Sequence, residues 1–267
     1  MSEGNGPDDY DPSADHHFPD ERLNAVLETV LEDDEVQAYL EAQNVNPVTR
    51  KGYNDHGAKH VEIVRNRALQ LYDLLKKAEV PFNGASDQGL EEADEPVIVA
   101  LAATLHDIGH VVHRDDHTYY SIMLAGDLLD RLLEPFYAVP QRVRMKGEIL
   151  HAILCHHEAE DPLTLEAGVL RVADALDMER GRSRIPYEKG WRGINTISSQ
   201  AIDRVELLEG DGKPVLVEIS MRNAAGVYQV DGLLKDKLQG SGLEEMVRIV
   251  AVNRTGGEEQ LVERIEL

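Results

Sequence analysis

The sequence predicts a mainly α protein: an all-helical domain over residues 21–185, followed by a small α+β domain over 196–267. Three observations carry that expectation. Apolar residues recur at i, i+3 and i+4 through the first two thirds of the chain, the period that gives a helix one apolar face. Pro47, Pro81, Pro135, Pro140 and Pro162 fall between those periodic segments and punctuate them. After Pro186 the texture changes to short, β-branched, partly alternating runs separated by glycine-containing turns.

In chain order, residues 1–20 are acidic and rich in Pro and Gly, and read as a disordered tail with none of the basic, apolar character of a signal peptide. From Arg22 to Gln43 the stripe Leu23, Val26, Leu27, Val30, Leu31 predicts one amphipathic helix, broken by Asn46-Pro47. HVEIVRNRALQLYDLLKKAEV repeats the pattern and stops at Pro81. NGASDQG reads as loop. EPVIVALAATLHD reads as a helix with Pro96 near its first turn, ended by Gly109. Three further helices are expected at about 118–134, 141–156 and 163–180. In the last part RVELLE, VLVEISMR, EMVRIVAVNR and QLVERIEL read as strands, with EGDGK as a turn and GVYQVDGLLKDKL as a helix among them. No internal repeat or heptad pattern is visible.

The 267 residues, 42% of them hydrophobic, suffice for a sizeable core. No run of about 18 apolar residues exists, so no membrane span is expected and a cytoplasmic protein follows. The single cysteine, Cys155, excludes an internal disulfide and a cysteine-cluster zinc site, and reads as a buried small hydrophobe. Fifty acidic residues face 27 basic ones, a formal charge of −23. Such a surface repels phosphate backbones and argues against non-specific binding of duplex nucleic acid. The basic residues are nine lysines and eighteen arginines, a scarcity of Lys similar to that of halophilic archaeal proteins. The acidic runs EDDE and LEEADE read as solvated faces.

Nine of the eleven histidines lie between residues 56 and 157, spread over several expected helices. Transition metals take imidazole nitrogen and carboxylate oxygen, so the distribution suggests a metal centre. His56 and His60 stand at i, i+4. His106-Asp107 ends an apolar helix, and Asp174 interrupts the apolar run of RVADALD, where an unpaired acid would be costly. The order H…HD…D, with LHDIGH after an apolar helix and RVADALD on the last one, resembles the HD-domain superfamily of metal-dependent phosphohydrolases over roughly residues 50–185.

That resemblance implies an ion held by His60, His106, Asp107 and Asp174. HTYYS and AILCHHE are similar to motifs of two-metal subgroups, among them cyclic-dinucleotide phosphodiesterases and diadenosine tetraphosphate hydrolases. There Asp107 would bridge two ions, with His117 and His156 on the second. AEDP stands after HHE where the cyclic-dinucleotide branch has GYP, which lowers that substrate class. His110 occupies the place of a phosphate-contacting Lys in many relatives, and Arg180 that of a phosphate-approaching Arg. His56 and His157 read equally as ligands or as supporting groups. His113 reads as surface, and His151 as a capping or packing residue.

The resulting expectation is a hydrolase with one or two divalent transition ions (Fe, Mn, Co or Zn) acting on a small phosphorylated substrate, a phosphomonoester, nucleotide or phosphodiester. No phosphate-binding glycine loop, nucleophile elbow or dinucleotide fingerprint competes with it. Two other classes fit the same residues: an HD-fold di-iron oxygenase, and a nucleotide-sensing regulatory protein. Whatever the reaction, residues 196–267 are expected to serve dimerisation, as in a homodimer, or partner binding.

Overall fold

A computed structural model describes residues 20–157, 160–183, 187, 190, 193–253 and 264–266. Residues 1–19, and with them all but the last residue of the expected tail, lie outside the described residues. The fold is mainly α with a small four-stranded sheet at the C-terminal end.

Where one helix was expected over 22–43 there are two, α1 (Glu21–Leu31) and α2 (Asp34–Ala42). The break is Asp33, whose carboxylate caps α2 by accepting from the N–H groups of Glu35 and Val36. Asp20 caps α1 in the same way through Leu23. Periodicity carried no sign of this break because the cap lies inside the acidic run EDDE. That run is not simply a solvated face, since Asp33 also pairs with Arg131. The other acidic run is corrected likewise. Asp94 is buried between Arg22 and the Tyr137 hydroxyl, and Glu95 is buried against Tyr72 and Lys76.

A π-helical turn, Val45–Arg50, carries Asn46-Pro47. The centre of the molecule is α3 (Ala58–Lys77) packed on α5 (Glu95–Leu105) and α8 (Leu165–Leu176). Every residue of α5 is buried, which its run of Val, Ile, Leu and Ala allows. Between them NGASDQG forms a short helix, α4 (Asn83–Gln88), where a loop was expected. Its first N–H groups, those of Asn83 and Gly84, donate to the buried carboxylate of Glu166, a partner 82 or more residues away that local sequence cannot reveal. Helix α7 (Val139–Cys155) packs on α5 and α8, and α6 (His117–Leu132) packs on α7.

After a 3-10 turn (Arg180–Ser183) and α9 (Ile194–Ser199) the sheet begins. It comprises β1 (Ile202–Glu209), β2 (Val215–Met221), β3 (Val247–Asn253) and β4 (Arg264–Glu266), in that spatial order. The β1–β2 and β3–β4 pairs are antiparallel, while β2 and β3 run parallel from Val215↔Val247 to Met221↔Asn253. A parallel pair needs a crossover, and the helical stretch over 224–238 supplies it.

The sheet and the helices share one apolar core, in which Ile202, Val205 and Ile219 join Val61 and Leu71. A polar tie reinforces the joint: Glu179 accepts from the Val205 N–H at 2.9 Å and from Arg67 at 3.1 Å. On α8, Gly168 lies so close to the crossover's end that a Cβ would stand 2.0 Å from the Ser241 carbonyl oxygen. No described helix is long and apolar enough to cross a membrane.

Candidate metal centre

Six elements bring their polar residues to one point. His56 lies just before α3 and His60 in its first turn; His106 and Asp107 follow the last residue of α5. His110 sits in a 3-10 turn (Ile108–Val111), His117 opens α6, His156 follows α7, and Asp174 is on α8. Because α5 is apolar from Pro96 to Ala103, polar residues can enter the centre only as it ends. The i→i+3 bond from His110 N–H to the Asp107 carbonyl (3.0 Å) sets those two side chains on one side. Asn46 locks the turn by donating to the carbonyls of His110 (2.6 Å) and Val111 (3.2 Å). Gly109 does not terminate α5 as expected. Its backbone is pressed on α6, where a Cβ would lie 2.1 Å from the His117 carbonyl oxygen, and its N–H donates to Ser121 Oγ at 2.8 Å.

Asp107 stands in the middle, 2% exposed, with its two oxygens divided between two groups of donors. Oδ2 lies 3.4 Å from both His60 Nε2 and His106 Nε2, and His60 Nε2 is 3.4 Å from Asp174 Oδ1. Oδ1 lies 3.4 Å from His110 Nε2, 3.4 Å from His117 Nε2 and 3.7 Å from His156 Nε2. Ligands about 2.0–2.1 Å from a tetrahedral ion are separated by about 3.3–3.4 Å. Both groups have that spacing.

Hydrogen bonds on the far side of each ring fix where the protons are. His106 Nδ1 faces the Ala103 carbonyl (2.8 Å), His117 Nδ1 that of Arg114 (3.0 Å), and His156 Nδ1 that of Ile153 (2.6 Å). A carbonyl only accepts, so each Nδ1 carries the hydrogen and each neutral ring turns a bare Nε2 inward. His117 Nε2 and His156 Nε2 then face each other at 3.2 Å, lone pair to lone pair. Only a cation between them, a proton or a metal, makes that contact favourable. Protonation is opposed: burial pushes the His117 imidazole well below its ordinary range and His156 down to about 4. The His60–His106 pair repeats the arrangement at 3.3 Å, with His60 Nδ1 held by Asp177 Oδ2 at 2.6 Å. Burial and Arg182 push His60 down, yet the carboxylates of Asp107, Asp174 and Asp177 outweigh them and raise it. Burial opposes ionisation of Asp107 and Asp174, but the rings around Asp107, and Lys237, His60 and Arg182 around Asp174, hold both carboxyls well below the usual range.

All six residues expected as metal ligands therefore meet: His60, His106, Asp107, His117, His156 and Asp174. Asp107 is common to three of the four groups of possible metal ligands found among the described residues. His110 is placed differently from a phosphate contact. It is fully buried, its ring stacks on His117 at 4.2 Å, and neither ring nitrogen has a hydrogen-bond partner. Two orphaned nitrogens of a buried imidazole, one 3.4 Å from Asp107 Oδ1, fit a metal ligand. His56 Nδ1 contacts Asp107 Oδ2 at 2.7 Å. His157 lies at the mouth with its ring 5.5 Å from His117. His113 is exposed and turned to Asp115, while His151 accepts from the Leu163 N–H at 3.0 Å.

The centre opens into a cavity of about 480 Å³ that reaches from Tyr53 and Asn54 to the crossover residues Gln229 and Leu233. Arg180 is exposed and does not line it; Arg182 does, 3.7 Å from Asp174. Arg182, Asp177 and Lys237 also line the cavity, and sequence reasoning missed them. Asp177 could have been found, because it stands three residues after Asp174, one helical turn along. Lys237 carried no local signal.

A family model for the HD domain matches residues 58–179. The uncharacterized protein MJ1020 of Methanocaldococcus jannaschii is 39% identical over 226 residues, covering 85% of this chain and 87% of that protein. This chain belongs to the HD domain family. Membership makes it one of a family of metal-dependent hydrolases, and the centre built around Asp107 is where this HD domain would hold divalent metal. No solved structure matches the chain.

Proposed function

We propose that this HD domain protein is a binuclear phosphohydrolase that cleaves a phosphate ester in a small substrate, a nucleotide or phosphodiester. The observation that carries the reading is the pair of opposed imidazole contacts on either side of Asp107, one per carboxylate oxygen. His60, His106 and Asp174 would hold one ion; His110, His117 and His156 the other; Asp107 would serve both. Ions so held lower the pKa of bound water and polarise phosphoryl oxygen. The chain's own residues keep the rings in the ligating tautomer through the carbonyls of Ala103, Arg114 and Ile153 and through Asp177. Four cations, Lys51, Arg114, Arg182 and Lys237, line the cavity of a protein whose formal charge is −23. That local reversal suits an anionic substrate. The mixed His and carboxylate set favours Fe, Mn, Co or Zn over Ca.

The test is metal content by mass spectrometry on protein purified in high KCl, followed by turnover of p-nitrophenyl phosphate and bis(p-nitrophenyl) phosphate. About two transition ions per chain, together with hydrolysis of either ester, supports the reading. A loaded protein that leaves both esters intact and consumes dioxygen overturns it in favour of an oxygenase.

A further inference from the structure

Lys237 reaches the centre from outside the residues the HD family model matches. It ends the crossover between β2 and β3, where its ammonium donates to Asp174 Oδ2 and to the His156 carbonyl at 3.0 Å. Its side chain is 12% exposed. Arg182, also beyond the matched segment, approaches Oδ1 of the same carboxylate at 3.7 Å and Asp177 at 3.9 Å. Its buried Nε makes no hydrogen bond.

Charge balance makes this placement informative. Without metal, two cations face the carboxylates of Asp107, Asp174 and Asp177, and the group is nearly balanced. With divalent ions bound, Asp107 and Asp174 serve the metal while Asp177 stays on His60, and Lys237 and Arg182 become surplus positive charge in a half-closed cavity. Surplus buried charge is costly unless an anion joins it. Among the described residues, no further carboxylate lines the cavity. The anion must therefore come with the ligand, and it must sit beside Asp174 at the metal centre, where a reacting phosphoryl group would lie.

We propose that Lys237 and Arg182 form the phosphoryl-binding pair of this enzyme, so that the C-terminal segment is part of the active site. Arginine supplies directional N–H donors and lysine a compact point charge. The same segment brings Gln229 and Leu233 to the cavity wall. The proposal rests on the phosphohydrolase reading and adds to it which residues, from which part of the chain, hold the phosphate.

The experiment uses the full-length, metal-loaded protein and inorganic phosphate as the probe, with affinity read by calorimetry and metal content measured in parallel. Lys237→Gln and Lys237→Met, the second keeping the apolar stem, are expected to weaken phosphate binding at least about tenfold with metal content unchanged. Both should also raise KM for p-nitrophenyl phosphate. Lys237→Arg keeps the charge and is expected to restore most of the affinity. Lys235→Gln, two residues away on the solvent-exposed Asp231 pair, is expected to change nothing. Wild-type phosphate affinity in both neutral variants overturns the proposal. Loss of metal along with phosphate also overturns it, because Lys237 would then be only a counter-ion for Asp174. If the loaded wild type itself binds no phosphate, the phosphohydrolase reading fails too, an outcome distinct from the other two.

Discussion

Asp107 is shared between two sets of imidazoles, and no other side chain in the cluster has a carboxylate oxygen on each side. Asp107→Asn keeps the shape but replaces one anionic oxygen by an amide nitrogen that cannot ligate. It is therefore expected to lower bound metal by at least one ion per chain, as measured after dialysis. Asp177 acts one step back. Its carboxylate takes the Nδ1 hydrogen of His60 and so aims Nε2 inward. Losing such a partner costs about 10–100-fold in metal affinity, so Asp177→Ala should weaken binding by that factor in competition with a chelator while the fold survives. The residues that meet at this centre were legible in the sequence for a physical reason. Imidazoles and acids set into apolar helices, as Asp174 is in RVADALD, have no local way to be satisfied. The surroundings of His110 and Lys237 were not legible, because a stacked ring and a contact across 63 residues depend on tertiary packing alone.

Helices α3 and α8 follow their apolar stripes, α5 is buried on every side, and β2 alternates in burial over its first five residues. The errors lie where a side chain from elsewhere decides the backbone. Asp33 splits the first helix by capping the second half, and Glu166 organises NGASDQG into α4. Gly109 belongs to the same class: its role is a close approach to α6 rather than a helix stop. Gly109→Ala would set a methyl against the His117 carbonyl and the Ser121 backbone N–H at 2.1 and 2.5 Å. Backbone atoms cannot rotate away, so the turn and the start of α6 must separate. The expected cost is about 1–3 kcal/mol of stability, read by urea unfolding. His110 and His117 stand on the two sides of that contact, so the variant should also bind the second ion more weakly than the first.

The described helices and sheet share one apolar core, and the chain carries a formal charge of −23. Because Ile202, Val205 and Ile219 complete the apolar cluster around α3, the sheet and the helices should unfold together, as one calorimetric transition at any fixed salt concentration. The charge sets how that transition depends on salt. Mutual repulsion of excess carboxylates weakens the compact state more than the unfolded chain, where the same charges lie farther apart. Added KCl screens it: the Debye length falls from about 10 Å at 0.1 M to about 3 Å at 1 M. Exposed pairs such as Arg22–Glu91 and Lys51–Asp115 lose strength over the same range, but each is worth only about 0–1 kcal/mol. The buried Arg67–Glu179 and Lys237–Asp174 contacts are screened much less. Relief of the repulsion outweighs the weakening of those few exposed pairs, so Tm is expected to rise between 0.1 and 1 M KCl. A flat or falling Tm over that range would show that the acidic surface imposes no net strain. A rise that continues beyond 1 M, where screening is nearly complete, would come instead from salt strengthening apolar burial. Repeating the titration with metal bound separates the surface from the centre: the ions should add a constant increment to Tm, because the site they occupy is buried and beyond the reach of screening.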